Sequence, residues 1–215
     1  MKFRRKSAEP ADAAPDEALL DDRSEAPVAV TSGPWDVDDA PDLDGVDRVD
    51  LGSLLLSAVD GLDIRLQVEE QTNQVQSVML AGAEGGVELR AFAAARGGDL
   101  WEEIRPRIAA EYAQRGGTAT ERVGRYGTEL DCQLTVRTED GKTATQPSRV
   151  VGINGERWML RATFLGRAAL APEELGPWDT AVTTAVVRRG SSAMPPGGEL
   201  PLTLPPADQL VRREQ

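Results

Sequence analysis

Thirteen acidic residues and a single basic one, Arg23, lie between Ser7 and Asp47. That stretch carries −12 (1 − 13), equal to the net charge of the whole 215-residue chain. It has few large apolar side chains and several prolines, so it cannot bury enough surface to offset the entropy of ordering. A packed core must come from the residues after Asp47. The expected organisation is a disordered acidic leader over 1–32, a partly ordered anchor segment over 33–48, one α+β domain over 49–189 and a proline-containing C-terminal tail over 190–215. A domain of that size buries roughly 70% of its unfolded-chain surface, enough for a core without metals or disulfides.

Within 49–189 the hydrophobic period is mostly two. Leu62, Ile64, Leu66 and Val68 alternate with Asp63, Arg65, Gln67 and Glu69, the pattern of a half-buried strand. Val75–Leu80 and the stretch around Val87, Leu89 and Ala91 read as two more strands. Helical spacing then takes over at Leu100, Trp101, Ile104, Ile108 and Tyr112. Asp99 is a good N-cap with Glu102 three residues on, and Gly116-Gly117 ends the helix. Pro106 should kink it or delay its regular start. Strands return at Leu130–Val136, Ser148–Ile153 and Glu156–Leu165, with hairpin turns at Glu139-Asp140-Gly141 and Asn154-Gly155. In the last strand Trp158, Leu160, Ala162 and Phe164 should face the core and Arg157, Met159, Arg161 and Thr163 away from it. A second helix is expected over Pro172–Ala185, and Val186-Val187-Arg188 as a short strand. Leu200–Leu204 has the pattern of a short edge strand. The order β-β-β-α-β-β-β-α implies an α+β fold, a mostly antiparallel sheet packed with two helices.

Composition removes several chemistries. The chain has no histidine and one cysteine, Cys132. A His/Cys zinc site, an imidazole-based triad and an intrachain disulfide are therefore impossible. No cofactor, metal site or catalytic residue is expected. Aromatic residues make up 4% and the net charge is negative, which disfavours a nucleic-acid partner or an anionic membrane. From Leu51 onward the charge is still −4 (18 − 22), so a DNA-associated role masked by the leader ranks last. The basic start Met1–Lys6 has no apolar run after it, unlike a secretion signal, so a cytoplasmic location is expected.

Four features bear on a site. Cys132 alternates with Leu130 and Leu134, where a thiol behaves as a small buried hydrophobe rather than a nucleophile. The glycine-rich Arg96-Gly97-Gly98-Asp99 lacks the spacing of a phosphate loop. Trp35, in Gly33-Pro34-Trp35-Asp36, is the one strongly apolar spot in an acidic leader and is the candidate anchor onto the chain's own domain or onto a partner. Arg149, Arg157 and Arg161 lie on paired strands near Asn154-Gly155 and form a candidate anion-docking face, because arginine forks suit carboxylates and phosphates.

Gly33-Pro34-Trp35-Asp36, Arg48-Val49-Asp50-Leu51-Gly52-Ser53-Leu54, Gln146-Pro147-Ser148-Arg149, Gly155–Arg161 and the ending Met194-Pro195-Pro196 before Leu200-Pro201-Leu202 together resemble the actinobacterial family called domain of unknown function 3710. The likeness spans about Gly33 to Pro205. It implies an intracellular actinobacterial protein and assigns no reaction. The element order is also similar to the Mog1/PsbP-like α/β/α sandwich, whose members mostly bind other proteins. The reading is a non-enzymatic binding or scaffold protein engaging an unidentified protein partner, with the oligomeric state open. The alternative is an enzyme or small-ligand protein handling an anionic ligand through the arginine-bearing sheet face.

Overall fold

A computed structural model describes residues 33–41, 48–72, 74–137, 140–171 and 176–205. The leader expected over 1–32, the start of the last helix at Pro172 and part of the turn at Glu139 lie outside the described residues. The fold is α+β and mostly β. Its elements are β1 (Trp35–Asp36), β2 (Arg48–Asp50), β3 (Leu54–Ser57), β4 (Asp63–Glu69), β5 (Gln74–Ala81), β6 (Gly85–Ala93), α1 (Leu100–Gln114), β7 (Thr118–Gly124), β8 (Gly127–Arg137), β9 (Thr143–Asn154), β10 (Trp158–Gly166), α2 (Arg167–Leu170), α3 (Pro177–Thr184) and β11 (Val186–Val187).

Seven strands form an antiparallel sheet in the order β4-β5-β6-β10-β9-β8-β7. Short hairpins join most sequence neighbours, as antiparallel pairing allows. One face packs on a second sheet, β1-β11-β3-β2, together with α2 and α3. Leu160, Ala162 and Phe164 of β10 meet Leu54 and Leu56 of β3, Val187 of β11 and Ala181 and Val182 of α3 in the main core. α1 packs on the opposite face, where Leu100, Trp101 and Ile108 close a second core over Leu130, Cys132, Val150 and Met159. Both faces of the middle of the sheet are thus apolar. Met159, expected to face away from the core, is fully buried because α1 covers it. Where the sequence implies a helical second layer, the main core is closed mostly by a small sheet.

α1 shows how local signals set its ends. The Asp99 carboxylate accepts the Glu102 N–H at 2.9 Å, satisfying one of the first-turn donors. The helix runs through Pro106, which cannot donate to the carbonyl one turn back. Its position is fixed from outside. The Trp101 indole donates to the Thr128 carbonyl at 2.6 Å, and its ring occupies the space a Cβ would take at Gly152. Tyr112 and Ser148 share a hydroxyl hydrogen bond at 2.9 Å at the other end.

The β9–β10 turn lies two residues beyond its expected place. Asn154 pairs with Met159 and the Gly155 N–H donates to the Trp158 carbonyl, so Glu156-Arg157 makes the bend. Asn154 is used elsewhere: its amide donates to Asp99 at 2.7 Å and its Oδ1 accepts the Trp101 N–H. Gly155 is required because the Trp158 ring lies where its Cβ would be.

The tail is not an outer edge. β5 pairs with β6 only from Val78–Ala81 to Gly86–Leu89. Residues 197–200 take the free end of β6: Gly197 donates to Ala93, Ala93 to Gly198 and Leu200 to Ala91. Leu202 then bridges Val75 and Gly52, tying the two sheets together.

Candidate functional site

Trp35 and Asp36 form β1, which adds in parallel to β11 through Trp35 N–H to Ala185 O and Val37 N–H to Val187 O, at 2.9 and 3.0 Å. The acid of this tetrapeptide reaches an indole rather than an arginine: Trp158 Nε1 donates to Asp36 Oδ2 at 2.7 Å. The second copy, Gly176-Pro177-Trp178-Asp179, opens α3 with Pro177 in the first helical position. Identical tetrapeptides therefore start a strand and a helix. In both, the aspartate accepts from a core aromatic, since Tyr126 Oη donates to Asp179 Oδ1 at 3.0 Å.

The structure does not bring Arg149, Arg157 and Arg161 together. In the β9–β10 ladder Arg149 faces Phe164, whereas Arg161 faces Gly152, so the two lie on opposite sides of the sheet. Arg157 is exposed in the bend before β10. Arg149 is buried in the main core, 1% exposed, and cannot be a docking residue. Its guanidinium lies 3.9 Å from the Phe164 ring centroid, donates to the Ala168 carbonyl and pairs with Glu129 at 3.3 Å.

Glu129, fully buried, is the centre of a cluster that the sequence pattern hides. It sits opposite Arg122 across β7–β8 and pairs with it at 3.0 Å, and its other oxygen accepts the Tyr126 N–H at 3.1 Å. Its carboxyl occupies the space a Cβ would need at Gly124. Arg122 also reaches Asp131 at 3.4 Å. Tyr126 stacks on Phe164 and leads to Asp179, whose second oxygen accepts the Gly176 N–H. Desolvation and the neighbouring Asp179 carboxylate push the Tyr126 phenol well above its ordinary range. Each carboxylate here has a protein partner, and the cluster clamps β7, β8, β9, α2 and α3 to one another. The only sequence hint is Arg149 itself, out of phase with the outward positions of its strand.

Cys132 lies on the α1 side, 1% exposed. Burial pushes its thiol up to about 11 from 9.0, against the opposing hydrogen bond from Tyr112. Iodoacetamide labelling near neutral pH is expected to be slow in the native chain and fast in denaturant; rapid native labelling would show the strand exposed. Because the unfolded thiol ionises first, the contribution of Cys132 to stability is fully kept below about pH 9 and is lost as pH rises through about 11.

A third region is open. α1 packs chiefly on β7, β8 and β9. The row Arg65, Met79, Glu88, Thr163, Val150, Leu130 crosses six strands on that side of the sheet. Val150 and Leu130 are buried under the helix. Arg65 is exposed, and Met79, Glu88 and Thr163 are part-exposed, with no helix laid over this half among the described residues. Phe92, Arg90 and Arg161 lie beside the row on the same face. Elsewhere, a shallow cavity of about 280 Å³ is lined by Glu84, Arg167, Trp178 and Asp179, and one of about 390 Å³ by Leu62, Asp63 and Arg65. Among the described residues no group of three or more Cys, Asp or Glu could hold a metal, and no helix is long and apolar enough to cross a membrane.

A seven-stranded sheet packed on a small four-stranded sheet, with a buried ionic cluster joining the large sheet to α2 and α3 and, among the described residues, one helix-free half-face, defines an α+β domain. The chain belongs to the family described as a protein of unknown function, DUF3710, which it matches over residues 33–210. No curated protein and no solved structure matches it.

Proposed function

We propose that this is a non-enzymatic cytoplasmic binding protein of actinobacterial type that engages a protein partner on the helix-free half of the seven-stranded sheet. The open half-face beside α1 is the observation that carries the reading. Its part-exposed Met79, with Phe92 at the border where it packs on the α1 core, is set among Arg65, Glu88, Arg90 and Thr163, an apolar patch with a polar rim, the usual anatomy of a protein interface. The arginine and carboxylate constellation of an anion-handling enzyme would need free groups converging on a cleft, and Arg149 and Glu129 are spent inside the core. Kinship with the Mog1/PsbP-like sandwiches belongs to this proposal and rests on element order alone.

The test compares capture of partners from the native cell by the wild-type chain, by Arg65→Glu combined with Thr163→Lys on the open face, and by Val123→Lys on β7, where Val123 is 87% exposed. The same protein should be captured by wild type and the β7 variant and lost by the open-face variant. Equal capture by all three removes the face from the reading.

A further inference from the structure

We propose that β7 pairs with β7 of a second copy of this chain, antiparallel and about a two-fold axis through Glu121, so that two seven-stranded sheets run on as one. β7 is the outer strand at one end of the sheet, and among the described residues β8 is its only strand neighbour. A bare edge is a row of backbone donors and acceptors ready for another strand. Chains that stay single blunt it with bulges, charges, proline or extreme shortness. The other edges here are blunted. β4 has a register shift between Gln67 and Val68 and carries Asp63, Arg65 and Glu69. β1 and β2, the edges of the small sheet, are two and three residues long. β7 keeps an unbroken register with β8 over Thr118–Gly124, has no proline, and holds Val123 87% exposed.

Two observations set the phase of its backbone. Pro147 has no N–H to give and stands opposite Gln133, a place that suits a gap between ladder bonds, so Gln133 turns to Thr118 instead. At the other end Thr128, opposite Val123, gives its carbonyl to the Trp101 indole. Alternation then points the N–H and C=O of Ala119, Glu121 and Val123 out to the free edge. An axis through Glu121 lays all three on their counterparts: Glu121 on Glu121, and Ala119 on Val123 twice over. Every residue of the strand is matched, and any shifted register shortens the ladder. The side chains suit this register. Val123, solvated in the single chain, packs on Ala119. Glu121 meets its own copy, but Arg105 Nε lies 2.8 Å from the carboxylate, so each acid arrives neutralised. On the opposite face Thr120 stands over Arg122, which Glu129 and Asp131 hold at 3.0 and 3.4 Å. The strand is thus its own complement, the requirement of an isologous contact. The charges of Glu121 and Arg122 are paired within the chain and select no foreign strand. This edge lies at the far end of the sheet from β4, so the second copy and a partner on the open half-face occupy different surfaces.

Sedimentation of the full chain reads the association. Each chain carries −12, which opposes approach at long range, so the solution holds about 0.15 M salt, where charges are screened beyond roughly 8 Å. The contact is small, so mass should rise from 23.1 kDa towards twice that value as concentration increases, over roughly 1–300 μM. Val123→Pro removes an outward N–H and leaves the β8 ladder intact, and should weaken the dimer about tenfold or more. Val123→Glu, which sets a carboxylate diagonal to Glu121 of the second copy, should do the same by repulsion and serves if the proline variant does not keep the wild-type melting temperature. Register is read by mild oxidation. In Glu121→Cys the two thiols face each other across the axis with Cα atoms about 5.5 Å apart, within disulfide reach, and a covalent dimer should form. In Val123→Cys the copies stand about 14 Å apart and should not link. Cys132 is buried and does not compete. A chain that stays monomeric throughout the range, or a dimer that both Val123 variants leave unchanged, overturns the pairing. Val123→Cys linking as readily as Glu121→Cys overturns the register.

Discussion

Replacing Glu129 by glutamine is expected to destabilise the folded chain by about 3–5 kcal/mol, the cost of leaving a buried charge uncompensated. Glu129 is fully buried, and its carboxylate is the shared partner of Arg122 and Arg149. Arg149 keeps its cation–π contact with Phe164 and its bond to the Ala168 carbonyl, but those are neutral partners and do not balance a guanidinium that is 1% exposed. Arg122 retains Asp131 at its more exposed end. The loss therefore falls on Arg149. A buried ion pair contributes little relative to well-packed apolar residues, so the effect belongs to the broken network and not to any large intrinsic strength of the pair. The double variant Glu129→Leu with Arg149→Met is accordingly expected to recover much of the loss. Urea denaturation of the three proteins measures this. A loss below about 1 kcal/mol in Glu129→Gln would mean that water reaches Arg149 and that the cluster is not sealed.

The same cluster shows where sequence reading stops. Glu129, Asp131 and Gln133 alternate with Leu130, Cys132 and Leu134, so Glu129 reads as an outward polar residue of a half-buried strand. Its burial comes from Arg122, Tyr126, Arg149 and the bare Gly124 gathered around it, which no strand period announces, and the small sheet of β1, β2, β3 and β11 leaves little pattern either. β1, β2 and β11 are two or three residues long, and β3, Leu54–Ser57, is buried at every position, so it carries no alternation to detect. β7 is hidden for the opposite reason. As the edge strand Thr118–Gly124 it exposes Thr118, Thr120, Glu121 and Val123 and has no apolar row. The most legible parts, β4, β6, α1 and β10, carry an apolar row at strand or helix period along most of their length. The arginine face fails on parity. Arg149 and Arg161 are close in the hairpin, but the register puts Arg149 opposite Phe164, and a one-residue difference in phase sends a side chain to the other side of a sheet.

Trp158→Ala is expected to cost about 3–5 kcal/mol, the range for deleting a large aromatic from a core. Trp158 is 2% exposed at the start of β10, in the main core with Leu160 and Ala162. Its ring also fills the space over Gly155 that makes the tight β9–β10 turn possible, so the cavity opens at a point where the backbone can follow only by giving up that turn. The polar end of the indole has a separate task. Its N–H to Asp36 bond at 2.7 Å is the side-chain link between the large sheet and the Gly33–Asp36 segment, beside the main-chain ladder to β11. The two contributions separate by substitution. Trp158→Phe keeps most of the apolar volume and removes the donor, and should cost about 1–3 kcal/mol, since Asp36 Oδ2 loses its partner in a part-buried place while Oδ1 keeps the Asp38 N–H. Asp36→Asn keeps an acceptor for the indole and should cost less than either. If Trp158→Phe is as damaging as Trp158→Ala, the hydrogen bond to the anchor segment dominates; if it is neutral, the segment is held by its strand pairing to β11 alone. Hydrogen exchange at the Trp35 and Val37 amides, which donate into that ladder, distinguishes the cases, because loss of the Asp36 link should speed their exchange while leaving the amides of β9 and β10 protected.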